Sequence, residues 1–352
     1  MTIRGFLFKL GFIPFLVQMK YLFEKLIEVY DILIGNKFSK RKIRKILSKH
    51  YKNKKINVIS KIDSYQQQVF FFSLKNDNKI IEGYFKTYIG NASWWSANLD
   101  NLYKRELTSL ELLNQSNCPV PKIIINEEEK IPWIITKNIK GETLLALASK
   151  KELKINPTKL AQLLYKIHST DISFLVKEKS LTCFDEYYIE NELSKIALFC
   201  NIDNIFITEL IQIANKCKES SDLVFCHGDF HLGNILLDYN NNLSTIDFEE
   251  SVIGYRQYDL GEIGYHLIKL YGEEFYEIFL AAYMRISKCS FDKNLYRDIH
   301  DFIDIRNKII GIFLLNGGYK HKLPYSVSFI RNENTARKEL YSILDKRKNI
   351  KL

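Results

Sequence analysis

Two short stretches carry the residues best suited to chemistry. Phe225 to Leu236 reads FCHGDFHLGNIL, in which His227, Asp229 and Asn234 form H-x-D-x-x-x-x-N. STIDFEE, at Ser244 to Glu250, places Asp247 thirteen residues beyond Asn234, at the end of a β-rich run. A carboxylate such as Asp229 can accept a hydroxyl proton and aim the oxygen at a phosphorus atom. An amide and a second carboxylate offer the oxygen ligands that hard Mg²⁺ prefers to nitrogen or sulfur. These residue types at this spacing suit phosphoryl transfer to a hydroxyl. An unrelated polar turn would not explain why an aspartate follows on a strand at this distance.

Such loops need elements to hold them. Val69 to Leu74 and Ile80 to Tyr88 are β-rich on either side of KNDNK, which predicts a hairpin with a five-residue loop. Asn98 to Leu113 spaces Leu102, Leu107, Leu110 and Leu113 as a helix, and Pro157 to Ser169 starts a second helix with proline near its first turn. Trp133 to Thr136 reads as a strand. Asn234 to Leu237 and Leu243 to Phe248 are short β-rich pieces around the turn DYNNN, and helices dominate thereafter. A small β-rich lobe followed by a larger, mainly helical lobe is an α+β plan.

From about Val58 to Tyr283 these stretches resemble the aminoglycoside phosphotransferase and choline kinase-like superfamily. The resemblance implies a protein-kinase-like two-lobe fold. Its nucleotide-binding N-lobe would cover residues 58–139 and its helical C-lobe residues 140–352, after a helical basic extension over residues 1–57. It makes Asp229 the catalytic base, Asn234 and Asp247 the Mg²⁺ ligands, His227 a support of the loop, and Asp259 in GYRQYDL its brace. Lys86 in GYFKTY would grip the α- and β-phosphates of ATP, and Glu106 would pair with it. Lys75 and Lys79 compete with Lys86 but fall in the expected turn, and Glu111 competes with Glu106. Adenine would be read by backbone groups from Thr136 to Asn138. His168 is assigned packing or capping and no chemistry.

The chain departs from the pattern in two places. Lys61 to Gln68 (KIDSYQQQ), where a phosphate-covering loop belongs, has no glycine; Ser64 and backbone N–H groups are left to cover phosphates. Asp247 is followed by Phe248 and Glu249 rather than by D-F-G, and no A-P-E follows, which argues against a regulated protein kinase. Glu249 and Glu250 stand open between acids beside the site and solvated side chains.

Charge is placed unevenly. The chain carries +10, but residues 1–60 hold 14 Lys or Arg against 3 Asp or Glu, so the remainder is close to neutral. A uniformly cationic nucleic-acid binder is excluded. Between Lys37 and Lys55, Ile43, Ile46 and Leu47 recur at helical spacing among lysines and arginines. This reads either as a peripheral anchor for anionic lipid or as a helix packed on the main body. Leu10 to Met19, the longest charge-free run near the start, is half of a membrane span, and no small-x-small cleavage site follows it. With six scattered cysteines, the expectation is a cytoplasmic protein with reduced thiols, the anchor adding contact at the inner face of the membrane.

The expected partner is a small-molecule acceptor, sugar-containing or amino-alcohol in type, such as an aminoglycoside-like compound. A membrane-bound or lipid-linked glycan, or a non-catalytic nucleotide-binding role on the same fold, are the alternatives. Acids available to a cationic acceptor are Asp185, Glu186, Glu190, Glu192, Glu262, Glu273 and Glu274; Tyr187, Tyr188, Tyr255, Tyr258 and Tyr265 are available for stacking on a sugar ring.

Overall fold

The computed structural model describes residues 38–52, 54–63, 67–76, 79–88, 102–128, 131–150, 155–173, 193–220, 223–289, 293–316, 330 and 332–350. The chain divides into two compact units, Met1–Gly90 with Ile125–Ile135, and Asn91–Ile124 with Thr136–Leu352. A β-sheet unit followed by a mainly helical one is the α+β order expected from the pattern of the sequence.

The first unit begins with α1 (Lys40–His50), capped by Ser39, whose side chain accepts from the Lys42 N–H. Strands β1 (Lys55–Asp63), β2 (Gln67–Asn76) and β3 (Lys79–Tyr88) follow, and β4 (Ile123–Glu127) and β5 (Trp133–Lys137) complete a five-stranded sheet in the order β1-β2-β3-β5-β4. Alternate residues of β2, Phe70, Phe72 and Leu74, are buried, as are Phe85 and Trp133, whose rings stack at 5.0 Å. Burial of each large side chain contributes about 2–3 kcal/mol.

Two expectations change here, and of the two readings of the basic helix the packed one is found. The β2–β3 connection spans two residues, not five, because Asn76 pairs with Lys79 and the ladder continues into the polar stretch. Lys75 and Lys79 are therefore strand residues. Much of the presumed phosphate-covering stretch is strand as well: Lys61, Ile62 and Asp63 pair with Phe70, Val69 and Gln68. Ser64 lies outside the described residues. The basic helix is packed: Ile43 and Leu47 are fully buried, and His50 meets the edge of Trp133 at 6.3 Å. The apolar face that a lipid anchor would need at α1 is thus occupied. Residues 1–37, the rest of the expected extension, lie outside the described residues. No described helix is long and apolar enough to cross a membrane.

The second unit opens with α2 (Leu102–Gln115), then β6 (Glu142–Thr143), α3 (Leu144–Ser149) and α4 (Pro157–His168). The last has Asn156 as N-cap and proline in its first turn. Next come α5 (Ser194–Phe199), α6 (Ile205–Ser220), β7 (Leu223–Cys226), β8 (Ile235–Leu237), β9 (Leu243–Thr245) and β10 (Val252–Tyr255). Helices α7 (Gln257–Tyr271), α8 (Glu273–Ser287), α9 (Lys293–Asn316) and α10 (Glu333–Ile350) end the chain. β7 pairs with β10, and β8 lies between β6 and β9. The loops after β7 and β9 are anchored in one core, in which Phe225, Phe230, Phe248, Leu260 and Phe279 are completely buried. Apolar neighbours on either side of each loop pin its ends, so the polar residues between them have little freedom.

Candidate active site

The loop after β7 is fixed by a single carboxylate. Asp259, in the first turn of α7 and 1% exposed, accepts the backbone N–H of His227 at 2.7 Å and that of Gly228 at 2.9 Å. Its Oδ2 also lies 3.0 Å from His168 Nε2, while His168 Nδ1 lies 2.6 Å from the Tyr283 hydroxyl. Three segments distant in sequence therefore meet at one buried carboxylate, and His168 links a fourth through Tyr283. Burial depresses the pKa of His168, with Asp259 pulling the other way.

His227 ties the two loops together. Its Nε2 lies 3.0 Å from the Ile246 carbonyl, and its Nδ1 accepts the Asp229 N–H at 3.3 Å. The hydrogen therefore sits on Nε2. Burial lowers its pKa and keeps the ring neutral, and Phe248 packs on it at 4.5 Å. Gly228 follows with φ +83°, where a Cβ would lie 1.9 Å from the Glu250 carbonyl oxygen. Only glycine permits that approach.

Asp229 projects from this clamp with its side chain 34% exposed. Asn234 Nδ2 donates to its carbonyl at 3.0 Å and to its Oδ2 at 3.1 Å, and His231 Nε2 lies 3.3 Å from the same Oδ2. Burial opposes ionisation of Asp229. The charge and hydrogen bond of His231 outweigh it, helped by His227 and Arg306, and hold the carboxyl well below the usual range. His231 shifts reciprocally upward: burial opposes its charge and Asp229 overcomes that.

The second loop gathers negative charge. Oxygens of Glu106 on α2, Asp247 and Glu249 all lie within 4.8 Å of one another. Asp247 itself has φ +70°, a conformation that costs a non-glycine residue about 1–3 kcal/mol and is kept where the surroundings impose it. Arg105, buried beside Glu106, lies 3.5 Å from Glu250; burial lowers its pKa and Glu250 and Glu249 raise it. Three carboxylates with no nitrogen or sulfur among them fit a hard divalent cation. Asn234 turns its amide nitrogen to Asp229, at 3.1 Å from Oδ2. A second cluster, His168, Cys226 and Asp259, is already explained by the hydrogen bonds around Asp259.

Near Asp229 lies Glu262, an acid expected from the sequence to be available to a cationic acceptor, which the structure instead buries in an ion pair. Glu262 on α7 is 2% exposed and pairs with Arg306 of α9 and, at 3.5 Å, with His266. Arg306 also donates to Asn307 Oδ1 at 3.0 Å. Glu262 stays ionised, Arg306 and His266 overcoming the cost of burial. The only sequence signal of this pairing is the i,i+4 spacing to His266; Arg306 is 44 residues away.

Of the remaining site residues, Lys86 lies on β3 opposite Val69, with Nζ 5.4 Å from the Tyr88 ring centroid. Thr136, on β5, and Asn138, just beyond it, are half-buried, and the intervening Lys137 donates its N–H to the Lys122 carbonyl at 2.8 Å. Glu106 is brought together with Asp247 and Glu249. Glu111, its competitor, is exposed on α2. Asp185, Glu186, Tyr187, Tyr188, Glu190 and Glu192 lie outside the described residues.

The fold is similar to that of choline kinase LicA from Streptococcus pneumoniae, at 14% identity and TM-score 0.59 over 86% of this chain and 99% of that one. It is also similar to Plasmodium vivax ethanolamine kinase, at 16% identity and TM-score 0.55 over 84% and 83% of the two chains. A thermostable mutant of aminoglycoside phosphotransferase APH(4)-Ia, solved with ADP and hygromycin B, matches at 13% identity and TM-score 0.53 over 86% and 97%. No curated protein sequence matches the chain. The architecture is thus the two-lobe, protein-kinase-like fold. Residues 94–293, more than half of the 352, match the phosphotransferase enzyme family. The chain belongs to that family, and it is an ATP-dependent phosphotransferase with an alcohol group as acceptor.

Proposed function

We propose that the chain transfers the γ-phosphoryl group of ATP, with Mg²⁺, to a hydroxyl of a small molecule, a sugar-containing or amino-alcohol compound, and that Asp229 is the base. One observation carries this reading: a carboxylate held ionised and partly exposed, on a loop whose backbone is clamped from behind by Asp259. An acceptor hydroxyl that meets Asp229 gives up its proton as its oxygen approaches phosphorus. Little movement is needed, because Asn234 and His231 already fix the carboxylate.

Asn234 and Asp247 hold Mg²⁺ in this reading, with Glu106 and Glu249 beside Asp247 adding negative charge. The ion, when bound, neutralises charge on the phosphate tail. Lys86 engages the α- and β-phosphates, and backbone groups from Thr136 to Asn138 receive adenine. The proteins of similar fold named above are kinases of choline and ethanolamine and a phosphotransferase solved with hygromycin B, which supports a polar, hydroxylated acceptor.

The test is transfer of labelled γ-phosphate from ATP to choline, ethanolamine, aminoglycosides and a fractionated cell extract, with wild type and Asp229→Ala. Label incorporated by wild type alone supports the proposal, and the labelled fraction identifies the acceptor. Equal labelling by both proteins sinks the assignment of Asp229.

A further inference from the structure

The Asp229 carboxylate has two oxygens, and the loop treats them differently. Oδ2 receives Asn234 Nδ2 at 3.1 Å and faces His231 Nε2 at 3.3 Å. Among the described residues nothing donates to Oδ1, and a third of the side chain is open to solvent. A carboxylate free to spin about its last bond would present either oxygen. This one is held from one side by two groups.

The imidazole is itself aimed. The Gly233 N–H donates to His231 Nδ1 at 2.9 Å, which leaves the hydrogen on Nε2, the atom turned to Asp229. Gly233 does not have the positive φ that would by itself demand glycine, yet a Cβ there would lie 2.7 Å from His231 Cε1 and 3.0 Å from Nδ1. The absent side chain is the space the ring occupies. Residues 231–234 thus supply a ring, the backbone donor that sets its tautomer, the gap that admits it and the Asn234 amide that shares its target.

We infer that His231 is a positioning residue for phosphoryl transfer, fixing Oδ2 of Asp229 so that Oδ1 faces the acceptor hydroxyl. The inference rests on Asp229 being the base. His231 acts through Asp229 and touches neither nucleotide nor acceptor. Its loss therefore lowers turnover without weakening Mg-ATP binding, and any group that donates to Oδ2 from the same place restores turnover.

The experiment measures γ-phosphate release from Mg-ATP with water as acceptor, together with Mg-ATP affinity by calorimetry and melting temperature. The proteins are full-length wild type, His231→Ala, His231→Gln, Gly233→Ala, Asp229→Ala and the double variant His231→Ala/Gly233→Ala. His231→Ala is expected to lose about tenfold or more in kcat, with Mg-ATP affinity held within about twofold. His231→Gln, whose amide N–H can reach Oδ2, recovers most of that loss. Gly233→Ala loses several-fold with His231 present and nothing further in the His231→Ala background, where the ring is gone. The inference is overturned if His231→Ala turns over as wild type does, if glutamine is no better than alanine, or if the Gly233→Ala loss is the same in both backgrounds. Should His231→Ala fail to fold, His231→Gln and Gly233→Ala still decide it. Asp229→Ala separates the two readings: its retaining wild-type turnover defeats the base assignment. Its inactivity beside fully active His231 variants defeats the positioning role alone.

Discussion

The loops at residues 227–234 and 247–250 both present carboxylates, and their surroundings make those carboxylates differ. In the first, Asp229 stands alone among donors: Asn234 and His231 reach its Oδ2, and Arg306 lends charge from behind. Its ionisation is supported by these side chains, against the cost of burial. In the second, Asp247 has Glu106 and Glu249 within 4.8 Å, and Arg105 lies 3.5 Å from Glu250. Three carboxylates cluster there, a donor set that suits a hard divalent ion. In the proposed function the first carboxylate takes a proton and the second holds a cation.

Removing the charge at Asp229 is the sharpest way to break this contrast. Asp229→Asn keeps size and shape but cannot accept the proton. Turnover should fall about 10³-fold, measured as label transferred to whichever acceptor the panel reveals, with melting temperature little changed. A loss under tenfold would remove the distinction between the loops.

The next effect concerns the point where the loops touch. Gly228→Ala places a methyl group 1.9 Å from the Glu250 carbonyl oxygen at φ +83°, so the loops must separate. A destabilisation of about 3 kcal/mol is expected, lowering the melting temperature by about 6 °C or more. An unchanged melting temperature would show that the loops are not held in contact.

The smallest effect is that of pH. His168, His227 and His266 are all held neutral by burial, with pKa values below their ordinary 6.5. The unfolded chain therefore binds these protons first, and the stability they contribute is lost as pH falls below about 6.5. His231 is shifted upward and has the opposite sign, its contribution being complete below that pH and lost as pH rises. Three groups outweigh one. Asp229 and Glu262, both depressed, add further loss only at more acidic pH. Melting temperature should fall from pH 7.5 to pH 5.5 by a few degrees, about 2–4 °C per kcal/mol, and less steeply in His168→Gln. A rise over that interval would contradict the neutral-histidine account.

How much of this was legible in the sequence follows from how far each contact reaches. The spacing of His227, Asp229, Asn234 and Asp247 is local, set by one loop and one β-turn, and it could be read directly. Asp259 stood out through its motif, but its two backbone acceptances and the His168–Tyr283 chain join residues up to 115 apart. No spacing rule encodes them. His231 was inside the motif and passed over, since a histidine beside an aspartate reads as an ordinary polar turn until Gly233 is seen to aim it. Glu262 and Arg306 come from different helices and meet only on packing. In the sheet, the polar run KNDNK suggested a long loop because turn residues were counted, whereas ladder hydrogen bonds extend the strands through Asn76 and Lys79.

The most direct test of the division of labour is calorimetric titration of Mg-ATP into wild type, Asp229→Ala and Asp247→Ala. Affinity within about twofold of wild type is expected for Asp229→Ala and a loss of about tenfold or more for Asp247→Ala. Equal losses in the two variants would contradict the separation of a proton-accepting carboxylate from a cation-holding one.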